Sequence, residues 1–328
     1  MHAFGITAYQ QPLTRMEVAE PVVGPHDVLV DVEAAGLNHL DEKIRAGEFK
    51  AILPASLPLV LGHDVAGTVL QVGTDVRAFA VGDRVYGRPA RPGTFAERVA
   101  VAEADLAPVP ASLGMAEAAA LPLVSLTAWQ VLVERGRVQP GQKVLVHAGA
   151  GAVGSVAIQL AKHLGAHVAT TASGDGLALV RELGADVVVD YRTQDFAAQL
   201  SGYDLVLDSL GGDNLTRSLG VLRPGGRAIG IAGPPDPAFA RQAGLNPLLR
   251  LAVAGLSSKV RRQARRAGVS YEFLFMHASG EQLREITALV EAGTLRPPTV
   301  EAFDLGRTPE ALAALAEGRV RGKAVVTR

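Results

Sequence analysis

Two hydrophobic rhythms divide the chain. Up to about Leu121, apolar and polar positions alternate in short runs. Val28–Glu33 reads VLVDVE, Gly67–Val72 reads GTVLQV, and Gly82–Asp83 leads into Arg84–Tyr86. A period of two belongs to strands that bury one face, and the Gly, Pro and Asp residues between the runs predict turns. Several short strands at this spacing predict an antiparallel, partly closed β domain.

From about Pro122 the rhythm changes. Lys143–His147 (KVLVH) is a short apolar run, followed by a glycine-rich turn and a helical stretch over Val153–Leu164. Then come a strand at His167–Thr171, a helix at Leu177–Leu183 and a strand at Asp186–Asp190. Tyr203–Asp208 (YDLVLD), Arg227–Ala232 (RAIGIA) and Tyr271–Met276 (YEFLFM) are further strands. Strands alternating with helices predict a doubly wound parallel sheet. A helix at Gln282–Ala292, another at Ala311–Glu317 and a strand at Ala324–Thr327 close the chain. No internal repeat or low-complexity tract interrupts it.

Composition narrows the function classes. With 328 residues, a two-domain chain is the expectation. The balance of 32 Lys+Arg against 33 Asp+Glu argues against bulk electrostatic binding to nucleic acid. Cysteine is absent, which removes disulfides, thiolate zinc sites and cysteine nucleophiles. The start, MHAFGITAYQ, has no basic region followed by an apolar run, so no signal peptide is expected. The longest apolar stretch, Ala118–Val133, is interrupted by Pro122, Ser125, Thr127 and Gln130 and is short of the ~20 residues of a membrane span. The expectation is a cytoplasmic protein with no membrane span.

The sharpest chemical signal is Gly149-Ala150-Gly151-Ala152-Val153-Gly154, a full G-x-G-x-x-G between a strand and a helix. Gly149 is expected to make the tight turn, Gly151 to let backbone amides approach a pyrophosphate, and Gly154 to allow close helix–strand packing. Phosphate charge would then sit at the positive end of the helix. An NAD site usually carries Asp or Glu at the end of the second strand. Here that place is Thr170-Thr171-Ala172-Ser173, without an acid, which favours NADPH. Tyr191 and Arg192 offer a hydroxyl and a cation for the 2′-phosphate. Asp175 in the same loop counts against that preference.

These motifs carry a resemblance. Asn38-His39-Leu40-Asp41 is followed by Arg45 and Gly47, then by Pro58 and Gly62-His63-Asp64-Val65-Ala66-Gly67. Further on come Gly82–Gly87, Gly93–Glu97, Leu121-Pro122 through Ala128, Asp208–Gly212 and Gly322-Lys323. In this order the chain resembles the zinc-free, quinone oxidoreductase (zeta-crystallin-like) branch of the medium-chain dehydrogenase/reductase superfamily. The resemblance implies an α/β protein: a Rossmann doubly wound parallel sheet (122–271) inserted in a GroES-like, mainly antiparallel β catalytic domain (1–121 plus 272–328). It implies NADPH in the cleft between two lobes, a homodimer, and reduction of quinones or enones. The candidate catalytic residues are Asn38 and Asp41. Cofactor contacts are expected from Thr127, Gly149–Gly154, Ser173, Tyr191, Arg192, Ser209, Leu210, Ile231, Gly233, Phe275 and Lys323, with the strand at Phe273–Phe275 flanking the nicotinamide.

The departures from family patterns matter. Asn38 stands where zinc-dependent relatives place a thiolate, and of the expected ligands only His63 remains, beside Asp64. A three-ligand zinc site is not expected from one imidazole and carboxylates. Enoyl-thioester reductases carry a tyrosine two residues after Gly47, and here it is Phe49, which has no proton to donate. The lysine often found near Gly176 is also missing.

Without a metal, alcohol oxidation lacks a Lewis acid, whereas a quinone or enone is already electrophilic. Metal-free hydride transfer then needs chiefly an oriented, dry site. Asn38 reads either as a donor to the developing oxyanion or ribose, or as a turn residue, and Asp41 as a local acceptor before a proton donor. Two other functions stay open: an NADPH-binding structural or interaction protein with little turnover, and a stand-alone enoyl reductase. The basic stretch Asn246–Arg266 reads first as a solvated charged face. A membrane-surface helix, a cap on the substrate cleft or a partner contact are the other readings.

Overall fold

The alternation over VLVDVE becomes one long strand, Asp27–Gly36, whose residues are buried and half-buried in strict turn until its last three positions, all buried. A computed structural model describes residues 1–50 and 55–328. The chain divides into two units, Met1–Leu126 with His277–Arg328, and Thr127–Met276.

In the first unit, Asp27–Gly36 is the centre of a seven-stranded sheet. The order runs Val300–Asp304, Lys323–Thr327, Asp27–Gly36, Val65–Val72, Arg84–Gly87, Leu106–Pro108, with Arg98–Ala102 also pairing Asp27–Gly36. Only Val300–Asp304 and Lys323–Thr327 run parallel. Register shifts between Asp27–Gly36 and Val65–Val72 mark irregularities that strengthen local twist. A three-stranded sheet of Thr14–Glu17, His2–Ile6 and Leu59–Val60 lies beside it. The core is aliphatic, with Val28, Val30, Val32, Val65, Val85 and Leu106 joined by Phe4 and Phe95.

The second unit alternates strand and helix: β1 Lys143–Val146, α1 Ala152–His163, β2 His167–Ala172, α2 Gly176–Glu182, β3 Val187–Asp190, α3 Phe196–Gln199 and β4 Tyr203–Asp208. It continues with α4 Gly212–Ser218, β5 Leu222–Gly230, α5 Pro237–Gln242, α6 Pro247–Leu256, α7 Ser258–Arg266 and β6 Ser270–Phe273. All strand pairs are parallel, and their order is β3-β2-β1-β4-β5-β6. That is the arrangement of two mononucleotide-binding halves meeting at β1 and β4. Buried runs such as Val144–Val146 reflect strands covered on both faces.

Two expectations shift. The strand foreseen over Tyr271–Met276 stops at Phe273, because its partner β5 ends at the paired Gly230. Phe275 therefore lies beyond the sheet, its ring 5.7 Å from that of Phe239. The stretch Asn246–Arg266 is not one amphipathic helix, since it breaks into α6 and α7, with buried Ser257 at the joint. Among the described residues no helix is long and apolar enough to cross a membrane.

Candidate functional site: strand ends of a parallel sheet

In the second unit, the residues singled out from the sequence lie, Thr127 aside, just past the carboxyl ends of the six strands. Gly149–Gly154 follows β1, Ser173 follows β2, Tyr191 and Arg192 follow β3, Ser209 and Leu210 follow β4, and Ile231 and Gly233 follow β5. Phe275 follows β6. Thr127 is buried in the helix Pro122–Trp129.

The glycine turn divides its work differently from the expectation. The left-handed residue is Ala148, with φ 51°, and not Gly149. Such a conformation costs an L-residue on the order of 1–3 kcal/mol. It is held because the Ala148 amide donates to Thr171 Oγ1 (3.1 Å), the Gly149 amide to Thr171 O (3.0 Å) and the Gly151 amide back to Ala148 O (2.9 Å). Gly149 is glycine for another reason, since a Cβ there would stand 2.0 Å from Thr170 Oγ1. At Gly154 a Cβ would stand 2.3 Å from Ala148 O, so α1 can lie against the turn only as glycine. Gly151 is the N-cap of α1 and offers no side-chain cap. The first-turn amides of a helix lack partners within the helix. Here no side chain of the N-cap covers them, an arrangement that would fit a pyrophosphate.

Around this turn the hydroxyls are ordered. Ser173 Oγ donates to Tyr191 Oη (2.8 Å), and Tyr191 is 58% exposed. The exposed Arg192 side chain forms no ion pair among the described residues, although its backbone amide is fixed on Asp190 Oδ1 (3.0 Å). Ser209 Oγ donates to His147 O (3.2 Å). Asp208, fully buried, accepts the amides of Leu210 (3.4 Å) and Gly211 (3.0 Å), so its carboxylate builds the turn after β4. Burial raises its pKa above the usual carboxylate range, and the two amides only partly offset this. The Tyr271 hydroxyl donates to Pro234 O (2.8 Å) and fixes the loop after β5. A Cβ at Gly233 would meet that hydroxyl at 2.5 Å.

His147 carries a role that the sequence reading missed. Ser218 Oγ donates to Asn214 O, so it accepts from His147 Nε2 at 2.8 Å. Thr171 Oγ1 donates to His147 Nδ1 at 3.2 Å. The imidazole is thus neutral with its proton on Nε2, and burial lowers its pKa to about 4. Through Thr171 it braces the strained Ala148. A lone histidine at a strand end gave no sign of this.

In the first unit the candidates Asn38, Asp41 and Lys323 meet in a buried polar cluster. Asn38 opens the helix His39–Ala46, and its amide donates to Asp41 Oδ2 (2.8 Å). Asp41 Oδ1 lies 2.6 Å from His63 Nδ1 and accepts the Gly62 amide (3.2 Å). Asp64 Oδ2 accepts from Lys323 Nζ and Asn38 Nδ2, each at 2.9 Å, while Oδ1 caps the helix at the Leu123 amide (2.8 Å). Lys323 Nζ also donates to Asn38 Oδ1. All five side chains are buried. The polar atoms of Asn38 are therefore engaged inside the unit.

The donor set does not fit zinc. Asp41 is committed to His63, Asp64 faces an ammonium, and no thiolate exists. Among the described residues no group of three or more His, Asp or Glu side chains could hold a metal ion.

Comparison with known proteins agrees with this architecture. Residues 24–111 match the alcohol dehydrogenase GroES-like domain family, and residues 183–326 the zinc-binding dehydrogenase family. The chain is 36% identical to NAD(P)H oxidoreductase RTN4IP1, mitochondrial, of Danio rerio, over 92% of this chain and 84% of that protein. It is 34% identical to the NADPH-dependent alkenal/one oxidoreductase, chloroplastic, of Arabidopsis thaliana, over 94% and 74%. The solved quinone oxidoreductase of Coxiella burnetii superposes with a TM-score of 0.86 at 30% identity, covering 100% of this chain and 99% of that one.

Proposed function

Because the chain belongs to the medium-chain dehydrogenase/reductase superfamily, in its quinone oxidoreductase branch, we propose that it is an NADPH-dependent reductase of quinones and enones. The observation that carries this is the uncapped N-terminus of α1 behind a turn in which a side chain at Gly149 or Gly154 would clash, at the carboxyl end of β1. The names of the Arabidopsis and Coxiella relatives supply the acceptor classes and NADPH.

In this reading the amides of Ala152, Val153 and Gly154 hold the pyrophosphate, and the dipole of α1 favours its charge. Ser173, Tyr191 and Arg192 hold the 2′-phosphate, since no acid stands at the end of β2 to claim a free ribose hydroxyl. Ser209, Leu210, Ile231, Gly233 and Phe275 line the strand ends towards the nicotinamide. Thr127 contributes from its helix. When bound, NADPH supplies the hydride, and a proton from water completes reduction of the acceptor. The chain's own work is to bind, orient and keep water from competing. The Asp41–His63 and Asp64–Lys323 pairs hold the Asn38 backbone and the start of its helix in place. The GroES-like role of the first unit, the homodimer and a cytoplasmic site belong to the same proposal.

NADPH consumption with a panel of quinones and enones tests it. Turnover with at least one class, faster with NADPH than with NADH, is the expected result. Tight NADPH binding without turnover would mark a binding protein instead, and efficient reduction of an enoyl thioester despite Phe49 would mark an enoyl reductase.

A further inference from the structure

We propose that the outer face of α6, together with the basic helix α7, is a docking surface for an anionic lipid bilayer. Helix α6 is fixed from within. Asn246 Oδ1 caps it at the Leu249 amide (3.0 Å), Val253 is buried, and Arg261 from α7 donates to Ala254 O (3.2 Å). Its other face is apolar and open. Leu248, Leu251 and Leu256 are 80%, 73% and 62% exposed, and Ala252 and Gly255 between them are exposed too. These positions recur at three- and four-residue steps and form one stripe. No other helix among the described residues shows three leucines to solvent.

Helix α7 places charge beside that stripe. Val260 and Ala264 are buried, while Lys259, Arg262, Arg265 and Arg266 are exposed and make no ion pair among the described residues. Residues 241–266 carry seven cations and no acid, which leaves 25 Lys+Arg against 33 Asp+Glu, a net charge of −8, in the rest of the chain. The positive charge is therefore concentrated on this one segment.

Three occupants can be compared. A second copy meeting the stripe by a two-fold axis would bring two acid-free basic segments together, with nothing in either to neutralise the other. A nucleic acid would use the cations and leave the leucines in water. An anionic bilayer answers both features: the leucines enter the boundary of headgroups and acyl chains, and the cations meet the lipid phosphates. This reading does not depend on which reaction the strand ends support.

Flotation of the full purified chain with vesicles tests it. Vesicles of phosphatidylcholine alone are compared with vesicles containing roughly a third phosphatidylglycerol. Binding to the anionic vesicles alone is expected, weakening as salt is raised. It should fall about tenfold or more in Leu248→Ser/Leu251→Ser/Leu256→Ser and in Arg262→Glu/Arg265→Glu/Arg266→Glu, with thermal melting as the fold control. Absence of binding to anionic vesicles overturns the proposal. So does binding that survives loss of the leucines, which would be plain charge adsorption. If the leucine variant turned an oligomer into monomers, the stripe would be covered by a second copy and the proposal would also fall.

Discussion

In the unit built from both chain ends, Asp64 is fully buried, and its two oxygens receive three donors from three separate segments: Asn38, Leu123 and Lys323. In the inserted unit, α1 begins at a glycine with no side chain to cap it, and Arg192 stands exposed without an ion pair among the described residues. The first arrangement is a closed account of charges and hydrogen bonds. The second leaves donors open where a phosphate would sit. Polar groups that satisfy one another hold a fold together, whereas polar groups left open on a rigid sheet edge await a ligand. On the proposed function, the same chemistry serves structure in one unit and binding in the other.

The comparison can be broken by substitution, starting with the largest effect. Gly154→Val should leave the inserted unit unfolded or without NADPH affinity, because the Cβ would meet backbone at 2.3 and 2.7 Å. Loss of the cooperative melt or of all cofactor binding is the readout.

Lys323→Met should cost about 3–5 kcal/mol of stability, since it strands the Asp64 carboxylate in the interior. Urea unfolding measures this, and a cost near zero would deny the cluster its structural role.

His147 gives a pH arm. Its pKa falls from 6.5 to about 4 in the folded chain, so the unfolded chain binds the extra proton between those values. Stability should therefore be fully retained above about pH 6.5 and lose about 3 kcal/mol on acidification to pH 4. His147→Gln should lack that arm in the same unfolding series.

The fourth effect is smaller and more pointed. Gly151 has ordinary backbone angles, φ −75° and ψ 168°, and a Cβ would meet only Ala148 O at 3.2 Å. Gly151→Ala should therefore fold, changing stability by less than about 1 kcal/mol. NADPH binding should weaken roughly tenfold, or ~1.4 kcal/mol, by calorimetry. The smallest effect is expected from Arg192→Ala, which should lower the preference for NADPH over NADH a few-fold, with melting unchanged.

The parallel sheet was legible because its evidence is local. Runs such as YDLVLD and the glycine turn lie within single elements, and period and punctuation identify them. The cluster of Asn38, Asp64 and Lys323 was not legible as a bonded set, because Lys323 and Asn38 are 285 positions apart. Family resemblance named these residues and assigned Asn38 and Lys323 to the site, but gave no sign that they bond to one another. The strand at Tyr271–Met276 was overextended because YEFLFM is apolar but for Glu272, and only the end of β5 decides where pairing stops. The strain on Ala148 was hidden for a similar reason. The motif has glycines on offer, yet the alanine before them takes the left-handed angle, held by Thr171 from the neighbouring strand.

Isothermal titration of the purified chain with NADPH, and separately with NADH, tests the central claim most directly. Saturable binding of one NADPH per chain, tighter than NADH, is the predicted result. No measurable binding of either carrier to a chain that melts cooperatively would contradict it.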